Sequence, residues 1–371
     1  MKGVRADDIH NHDLRYNEWM NMCFARYVVV LLLWTGLSGC SDEAQGLIEM
    51  RQPSPQPVHE RKIVGNLDDL YEYAGFAADT NRVYNVQALS LQPDGSIFVL
   101  DAGDHKVKRF SGEGTLIKSY GNGKGRGPGE FLKPVGFMVD SLGSVWIADT
   151  SDRKLVRFHA DGTLAESYFF EDDPRGIAMT SRGRLASLSF PDSALFKLYD
   201  LPVNGNKVVE VKKFGTLVKN QFFSSIALAG TIGVSPDEDY FVYVGLYGGR
   251  MASFSPDGSL RFYVETIDGA PFPPVVKAEN DAYKISRRGE KVSQVLATLT
   301  REDIYIVRTR WRGSDLEAFL DVYDPADGMY RYSIRYELPC KPLLLTDALF
   351  FASCDGYVQK WRHIGPKGEE A

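Results

Sequence analysis

Residues Gly121 to Phe158 read GNGKGRGPGEFLKPVGFMVDSLGSVWIADTSDRKLVRF. The stretch holds a glycine-rich loop, an apolar run, a turn and two further apolar runs, which end at Asp149 and Phe158. Short runs rich in β-branched and aromatic residues, bounded by turn residues, are typical of β-strands. The stretch therefore predicts a series of short antiparallel strands.

A repeat with a period of 48 residues relates this stretch to the one before it. The segment Gly95–Asp101 (GSIFVLD) matches Gly143–Asp149 (GSVWIAD), and the same offset relates Phe110 to Phe158. Self-similarity at a period of 20–50 residues indicates a solenoid, a propeller or an array.

Weaker copies of the unit follow along the chain, and we count six units that start near residues 86, 135, 175, 231, 292 and 341. Each unit predicts four antiparallel strands. The sixth, Cys340 to Trp361, supplies only three, and we expect Ile63 to Tyr73 to supply the fourth and close the ring. Closure removes long unpaired sheet edges. The predicted fold is an all-β, six-bladed β-propeller of four-stranded antiparallel blades, closed by an N-terminal strand.

The segments Gly127–Asp140 (GPGEFLKPVGFMVD), Val145–Asp149 and Arg153–Phe158 together resemble an NHL repeat. This resemblance implies a six-bladed propeller. NHL-like propellers are mostly binding platforms, although related six-bladed propellers include lactonases and other hydrolases. The fold alone does not choose between these functions.

The N-terminus has the features of an export signal. Arg26 precedes the apolar run Tyr27–Trp34, and Leu37–Cys40 (LSGC) follows. A basic residue, a short apolar core and a small-residue cleavage site describe such a signal. The LSGC segment resembles the lipobox of bacterial lipoproteins, which implies cleavage before Cys40 and lipidation of its thiol. The alternative, a transmembrane helix, needs about 20 apolar residues, more than this run supplies.

The sequence predicts four regions: a signal peptide over residues 1–39, the lipidated Cys40 with a proline-rich tether over 40–60, the propeller over 61–365 and a tail over 366–371. Residues 1–19 are polar for a signal peptide, so the sequence leaves open whether Met20 or Met22 is the true start. We expect a monomer, held by its lipid on a membrane of the bacterial cell envelope. By resemblance to enterobacterial sorting, Ser41 favours the outer membrane of a Gram-negative cell.

The composition is that of an ordinary globular protein, with 44% hydrophobic and 25% charged residues. The formal net charge of −6 argues against a general nucleic-acid binder. We expect no nucleic-acid partner and no cofactor.

Cys340 and Cys354 flank a predicted hairpin centred on Asp347, which would place them opposite each other. Disulfides persist in exported proteins. The sequence therefore predicts a cross-strand disulfide, with two buried free thiols as the alternative.

Two features could carry chemistry in the best-matching units. The glycine-rich loop Gly121–Gly129 lacks the Ser or Thr and the helix of a phosphate-binding loop, so it reads as a connection between blades. A D-x-x-D pattern occurs twice, as Asp101 with Asp104 and as Asp149 with Asp152. It predicts turn capping, with a metal site as the alternative.

A lactonase-like metal site would, by family resemblance, need Glu, Asn and Asp side chains on the inner strands. Among the first four inner strands, only Asp140 offers a carboxylate in our alignment of QALS (87–90), FMVD (137–140), IAMT (177–180) and IGVS (232–235). One carboxylate is too few for a hard cation. We predict no metal site and no catalytic residue, and leave enzymatic activity undecided.

Six basic residues are expected in loops that share one rim of the propeller: Arg126, Lys133, Arg153, Arg175, Arg250 and Arg312. They are the candidate ligand-binding residues, and a mixed solvated surface is the alternative because acids lie there too. The sequence thus favours an exported, lipid-anchored binding or scaffold module for a protein, peptide or glycan. The alternative is a propeller hydrolase or lactonase with a metal in its channel.

Overall fold

The structure is a computed structural model that describes residues 52–78, 83–171, 174–180, 184–188, 194–201, 207–217, 229–269, 275–277, 283–285, 292–312, 315–336, 340–354 and 357–365. In chain order, its elements are β1 (Ile63–Asn66), α1 (Leu67–Leu70), β2 (Tyr71–Ala78), β3 (Val86–Leu91), β4 (Ile97–Asp101), β5 (Lys106–Phe110), β6 (Leu116–Tyr120), β7 (Pro134–Val139), β8 (Val145–Asp149), β9 (Lys154–Phe158), β10 (Leu164–Phe169), β11 (Arg175–Met179), β12 (Arg184–Leu188), β13 (Ala194–Asp200), β14 (Val209–Thr216), β15 (Gly230–Val234), β16 (Phe241–Gly245), β17 (Arg250–Phe254), β18 (Leu260–Glu265), β19 (Val275–Lys277), β20 (Tyr283–Ile285), β21 (Val292–Leu299), β22 (Ile304–Arg312), β23 (Asp315–Tyr323), β24 (Tyr330–Arg335), β25 (Lys341–Leu345), β26 (Leu349–Cys354) and β27 (Tyr357–His363).

The strands form a six-bladed β-propeller of four-stranded antiparallel blades, as the sequence predicts. Blades 1 to 4 are β3–β6, β7–β10, β11–β14 and β15–β18, each paired in sequence order. Blade 5 is β21–β24, and blade 6 combines β25–β27 with β2. The innermost strands begin within one residue of the predicted unit starts. The hairpin of β19 and β20 is a separate unit.

An N-terminal strand closes the ring, and its bounds differ from the prediction. The outermost strand of blade 6 is β2, Tyr71–Ala78, which pairs antiparallel with β27. The predicted segment Ile63 to Tyr73 overlaps β2 only at its end. Its first part, β1, instead adds a fifth, parallel strand to blade 5 beside β24. The innermost strands neighbour one another in the order β3, β7, β11, β15, β21, β25 and back to β3.

Six clusters of buried side chains fill the six gaps between blades. Between blades 1 and 2, Phe98 and Tyr120 pack with Phe131, Val145 and Phe158. Burying each large apolar side chain contributes about 1.5–3 kcal/mol. Because every blade contributes to two clusters, adjacent blades are held together around the whole ring.

We call residues 52–66 the strap, since they run along the outer strands of two blades. The backbone of Ser54 accepts a hydrogen bond from Glu265 and donates one to Tyr263, each at 2.9 Å, which joins the strap to β18 of blade 4. Gln56 is buried and donates to the carbonyls of Glu265 and Gly328 at 2.7 and 3.1 Å. Both residues lie in the predicted tether. The structure therefore places the last part of the predicted tether, from Gln52, against the propeller.

Candidate functional site

The inner strands line a central channel with two mouths. We call one end the loop face; it holds the connections from second to third strands, such as 102–105, and those from one blade to the next, such as 121–133. We call the other end the turn face; it holds the turns from first to second strands, such as 92–96. The sequence-based candidates lie on the loop face.

The first aspartate of the second D-x-x-D pattern caps the loop face of blade 2. Asp149 accepts hydrogen bonds from the amides of Ser151 and Asp152 at 2.8 and 3.2 Å, which fixes the turn after β8. It also accepts from the amides of Leu132 and Lys133 at 2.5 and 3.1 Å, in the chain that enters the blade. This buried carboxylate therefore ties a turn to the incoming connection.

Asp101 does the same in blade 1. It accepts from the amides of Tyr84, Asn85 and Gly103 at 2.9, 2.8 and 3.0 Å, and from Nζ of Lys108 at 2.7 Å. Burial by itself would raise the pKa of Asp101, but the bonds from Lys108 and the three amides lower it overall. The capping interpretation of the pattern thus accounts for both first aspartates.

The second aspartates pair with lysines. A carboxylate oxygen of Asp104 lies 2.7 Å from Nζ of Lys108, and one of Asp152 lies 3.1 Å from Nζ of Lys154. These carboxylates neutralise buried cations. Among the residues that the structure describes, no three His, Cys, Asp or Glu side chains are grouped so that they could hold a metal ion.

The glycine-rich loop connects β6 to β7, as expected, and it surrounds one of the chain's own carboxylates. Glu130 accepts a hydrogen bond from the amide of Gly127 at 2.8 Å. A Cβ atom at Gly125 or Gly127 would clash with Oε2 of Glu130. The glycines are therefore needed for the close approach of this side chain.

Two of the six rim candidates meet at one corner of the loop face. Nε of Arg126, whose side chain is 78% exposed, lies 3.3 Å from Asp152. Arg153 follows Asp152 directly and donates from Nη1 to the carbonyl of Glu171 at 2.9 Å. Each of the two basic side chains thus contacts an acidic residue or its backbone, so this corner carries mixed charge.

The other rim candidates are spread over different blades. Lys133 is exposed at the entry to blade 2, and Arg250 is partly buried at the start of β17 in blade 4. Arg175 begins β11 and Arg312 ends β22, so these two and Arg250 lie on strands and not in loops as expected. For Arg175 and Arg312 the structure describes the backbone but not the side chain. A shared basic rim stays a prediction.

The turn face holds a cavity of about 360 Å³ that sequence reasoning missed. The ends of the inner strands of blades 1, 5 and 6 and a turn of blade 4 line it, so it lies at the mouth of the channel. Its apolar wall consists of Pro236 and five leucines, Leu89, Leu91, Leu299, Leu344 and Leu345. Its polar lining consists of Ser90, Thr300, Arg301, Thr346 and Asp347.

The hydroxyls in this lining are already bonded within the fold. Thr300 donates to the carbonyl of Asp303 at 3.3 Å, and Thr346 donates to that of Leu349 at 3.2 Å. Ser90 accepts from Gln92 at 3.1 Å. The polar atoms that reach the cavity therefore come mainly from the charged side chains.

In each blade, the residue that follows the inner strand donates its amide across the first turn, which allows the blades to be aligned. The equivalent of Asp140 in blade 1 is Gln92, because each donates its amide across the first turn, to Ser144 and Ser96 respectively. Our alignment of Asp140 with Ser90 was therefore wrong by two positions. Asp140 itself accepts from Trp146 Nε1 at 2.9 Å and from two amides of its turn, so its carboxylate is structural.

Cys340 and Cys354 are disulfide-bonded in the structure, with Cα atoms 4.5 Å apart. A bulge between Pro342 and Leu344 shifts the register of β25 against β26. Without it, Cys354 would face Lys341, so the bulge aligns the two cysteines.

Cys40 and the rest of residues 1–51 lie outside the described residues. No helix in the described ranges is long and apolar enough to cross a membrane.

Comparisons with known proteins agree on the fold. A family model, DUF5128, described as a 6-bladed beta-propeller, matches residues 78–247. No curated protein sequence matches the chain significantly. A protein of Bacteroides fragilis, provisionally described as exported, is similar in structure with a TM-score of 0.55 and 13% identity, over 83% of this chain and 98% of the other. A member of the DUF4221 family from Bacteroides vulgatus has a TM-score of 0.53 and 10% identity, over 80% and 98% of the two chains.

Proposed function

We propose that this protein is an exported, lipid-anchored binding module that holds a protein, peptide or glycan ligand at the turn-face mouth of its channel. The observation that carries the proposal is the cavity among Leu89, Leu91, Leu299, Leu344 and Leu345. An apolar concave surface with a few charged groups at its edge is the usual form of a ligand site. Ring closure supports this function, because it holds the lining strands in fixed positions.

The alternative, a hydrolase or lactonase, has less support. Such an enzyme needs a nucleophile, a base or a metal at hydrogen-bond distance of a bound substrate. The carboxylates that we considered for this role, Asp101, Asp140 and Asp149, accept backbone or side-chain hydrogen bonds that stabilise turns. No observation on the described residues favours this reaction.

The proposed anchor supports a location in the bacterial cell envelope. Leu37–Cys40 resembles a lipobox, and the Bacteroides fragilis relative is provisionally described as exported. Since the strap joins blade 4 at Ser54, the spacer would consist of residues 41–51. An extended chain spans at most about 3.3–3.6 Å per residue, so these residues allow roughly 40 Å between lipid and propeller.

A binding screen tests the proposed function. The purified full chain is screened against peptide and glycan arrays beside Leu344→Asp, which puts a charge in the cavity wall, and Leu142→Asp, a control at an exposed turn residue outside the cavity. We expect a ligand that the control retains and Leu344→Asp loses. A ligand that Leu344→Asp binds equally well, or turnover of a lactone or ester by the wild-type chain, would contradict the proposal.

A second experiment tests the proposed anchor. Cells that express the wild-type chain or Cys40→Ala are grown with a labelled fatty acid, and we expect only the wild-type protein to carry the label.

A further inference from the structure

The cavity combines an aliphatic wall with an unpaired negative charge. Asp347 lies in the turn between β25 and β26, lines the cavity and is exposed. Its carboxylate has no hydrogen-bond or ion-pair partner in the part of the chain that the structure describes. The other charged lining residue, Arg301, donates from Nε and Nη2 to Asp237 at 3.2 Å each. The cavity thus presents a free carboxylate and a cation that is already paired.

The surrounding turns are also acidic. In the described turns between first and second strands, the only cation is Arg301. The same turns carry eight carboxylates: Asp94, Asp140, Asp237, Glu238, Asp239, Glu302, Asp303 and Asp347. Arginines from outer strands partly compensate this charge, since Arg109 pairs with Asp94 at 2.7 Å and Arg331 pairs with Asp303 at 2.5 Å. The turns keep an excess of negative charge, which attracts cations to the mouth.

The inner strands are closely packed on one side of the cavity. A Cβ atom at Gly233, on β15, would lie 2.6 Å from Cδ1 of Leu299 on β21. The glycine therefore lets Leu299 pack closely against the neighbouring blade.

The size of the cavity limits the kind of ligand. Its volume of about 360 Å³ is at the lower end for a ligand site and suits one or two side chains rather than a folded domain.

We infer that the turn-face mouth binds a basic peptide segment, which places an aliphatic side chain against the leucines and a lysine or arginine beside Asp347. This inference rests on the proposed binding function and names the class of ligand. The leucine wall gains from burying apolar surface, and the acidic turns favour a positive partner. Neutral and acidic ligands would lack the favourable electrostatic interaction with the acidic turns.

Fluorescence anisotropy of labelled five-residue peptides tests the inference. The probe has a central leucine flanked by lysines, and two matched controls replace the lysines by glutamates or the leucine by serine. We expect the probe to bind the full chain, with a Kd that rises with salt, and both controls to bind at least tenfold more weakly. Equal binding of the glutamate control would overturn the inference.

Asp347→Asn separates the role of this carboxylate from that of the electrostatic field of the acidic turns as a whole. It keeps the shape of an exposed side chain, so the fold should be unaffected, and it should weaken the probe about tenfold. Glu302→Gln removes a charge from a residue that does not itself line the cavity, in the turn that carries Arg301, and it should change the Kd less than twofold. An unchanged Kd in Asp347→Asn would overturn the inference.

The array screen shows which proposal has failed. If it finds a glycan or a neutral peptide that Leu344→Asp loses and Asp347→Asn retains, the binding function stands and the inference is wrong. If neither the screen nor the lysine probe yields a ligand, both are wrong.

Discussion

Arg61 donates from Nε and Nη2 to the two carboxylate oxygens of Asp321, each at 2.9 Å, although 260 positions separate the two residues. Nη2 also donates to Asp268, and Nε of Arg308 lies 3.5 Å from the other oxygen of that carboxylate. All four side chains are largely buried. Burial alone would lower the pKa of Arg61, but its bonds to Asp321 and Asp268 raise it overall. Two arginines and two aspartates thus hold the strap against blades 4 and 5.

We expect Arg61→Ala to lower the free energy of unfolding by about 3–5 kcal/mol, because it leaves two buried carboxylates facing one arginine. Lys62→Ala is the matched control, since Lys62 is exposed and its contact with Ser333 is through the backbone. It should change the stability by less than about 0.5 kcal/mol. Urea unfolding measures both, and equal effects would contradict the importance of the pair.

The stability of blade 1 should fall in acid through Asp101. The pKa of this carboxyl is lower in the folded chain than in the unfolded one. Its contribution is therefore fully present above the unfolded pKa, near 3.9, and is lost as the pH falls through the folded value. We expect Asp101→Asn to cost about 1.5–3 kcal/mol at pH 7 and progressively less below pH 4. A difference from wild type that stays constant from pH 7 to pH 2 would contradict this account.

Reduction should destabilise blade 6. The bond between Cys340 and Cys354 closes a loop of about 15 residues, which corresponds to about 3 kcal/mol of stability. A chain that starts at Gln52 contains only these two cysteines. Thiol titration of that chain in denaturant should find no free thiol before reduction and two after it. Two thiols before reduction would leave the pair as buried free cysteines.

Truncation should show that the strap belongs to the folded unit. A chain that starts at Glu60 keeps Arg61 and β1 but loses the bonds of Ser54 and Gln56. The side-chain amide of Gln56 also accepts from the amide of Tyr330 at 2.8 Å. At about 0.5–1 kcal/mol for each of these five hydrogen bonds, we expect this chain to be roughly 2.5–5 kcal/mol less stable than one that starts at Gln52. Equal stabilities would mean that residues 52–59 are only a spacer.

Repetition made the blades predictable. Gly95 and Gly143 mark equivalent turns, and the strands beside them share a pattern that local sequence carries. The path of the strap could not be predicted in this way, because Ser54, Gln56 and Arg61 find partners more than 200 positions away and repeat no motif. The missing fourth strand of the sixth unit led us to assign Ile63 to the closing strand, whereas the structure pairs it with blade 5.

The candidate site was less predictable than the fold. The first aspartate of each D-x-x-D pattern could be interpreted correctly because turn capping depends on neighbours in the sequence, such as Ser151 near Asp149. The lysine partners of the second aspartates were not predicted. The turn-face cavity depends on leucines from three blades, two of which, Leu89 and Leu345, also belong to the core. Their local sequence does not show that they line a cavity. Asp347 was noticed only as the centre of a hairpin, since the absence of a partner for its carboxylate is a property of the folded chain.

Pairing of β2 with β27 sets the order in which this molecule can be completed. Ala78 and its partner Val358 are 280 positions apart, so a strand that leaves the ribosome early is among the last to find its neighbour. Contacts between such distant parts of a chain slow folding, since the intervening loop must be closed before they form. Until β27 is available, the apolar faces on both sides of blade 6 are incomplete and open to aggregation. The chain is therefore most prone to aggregate in this interval, while the ring is still open.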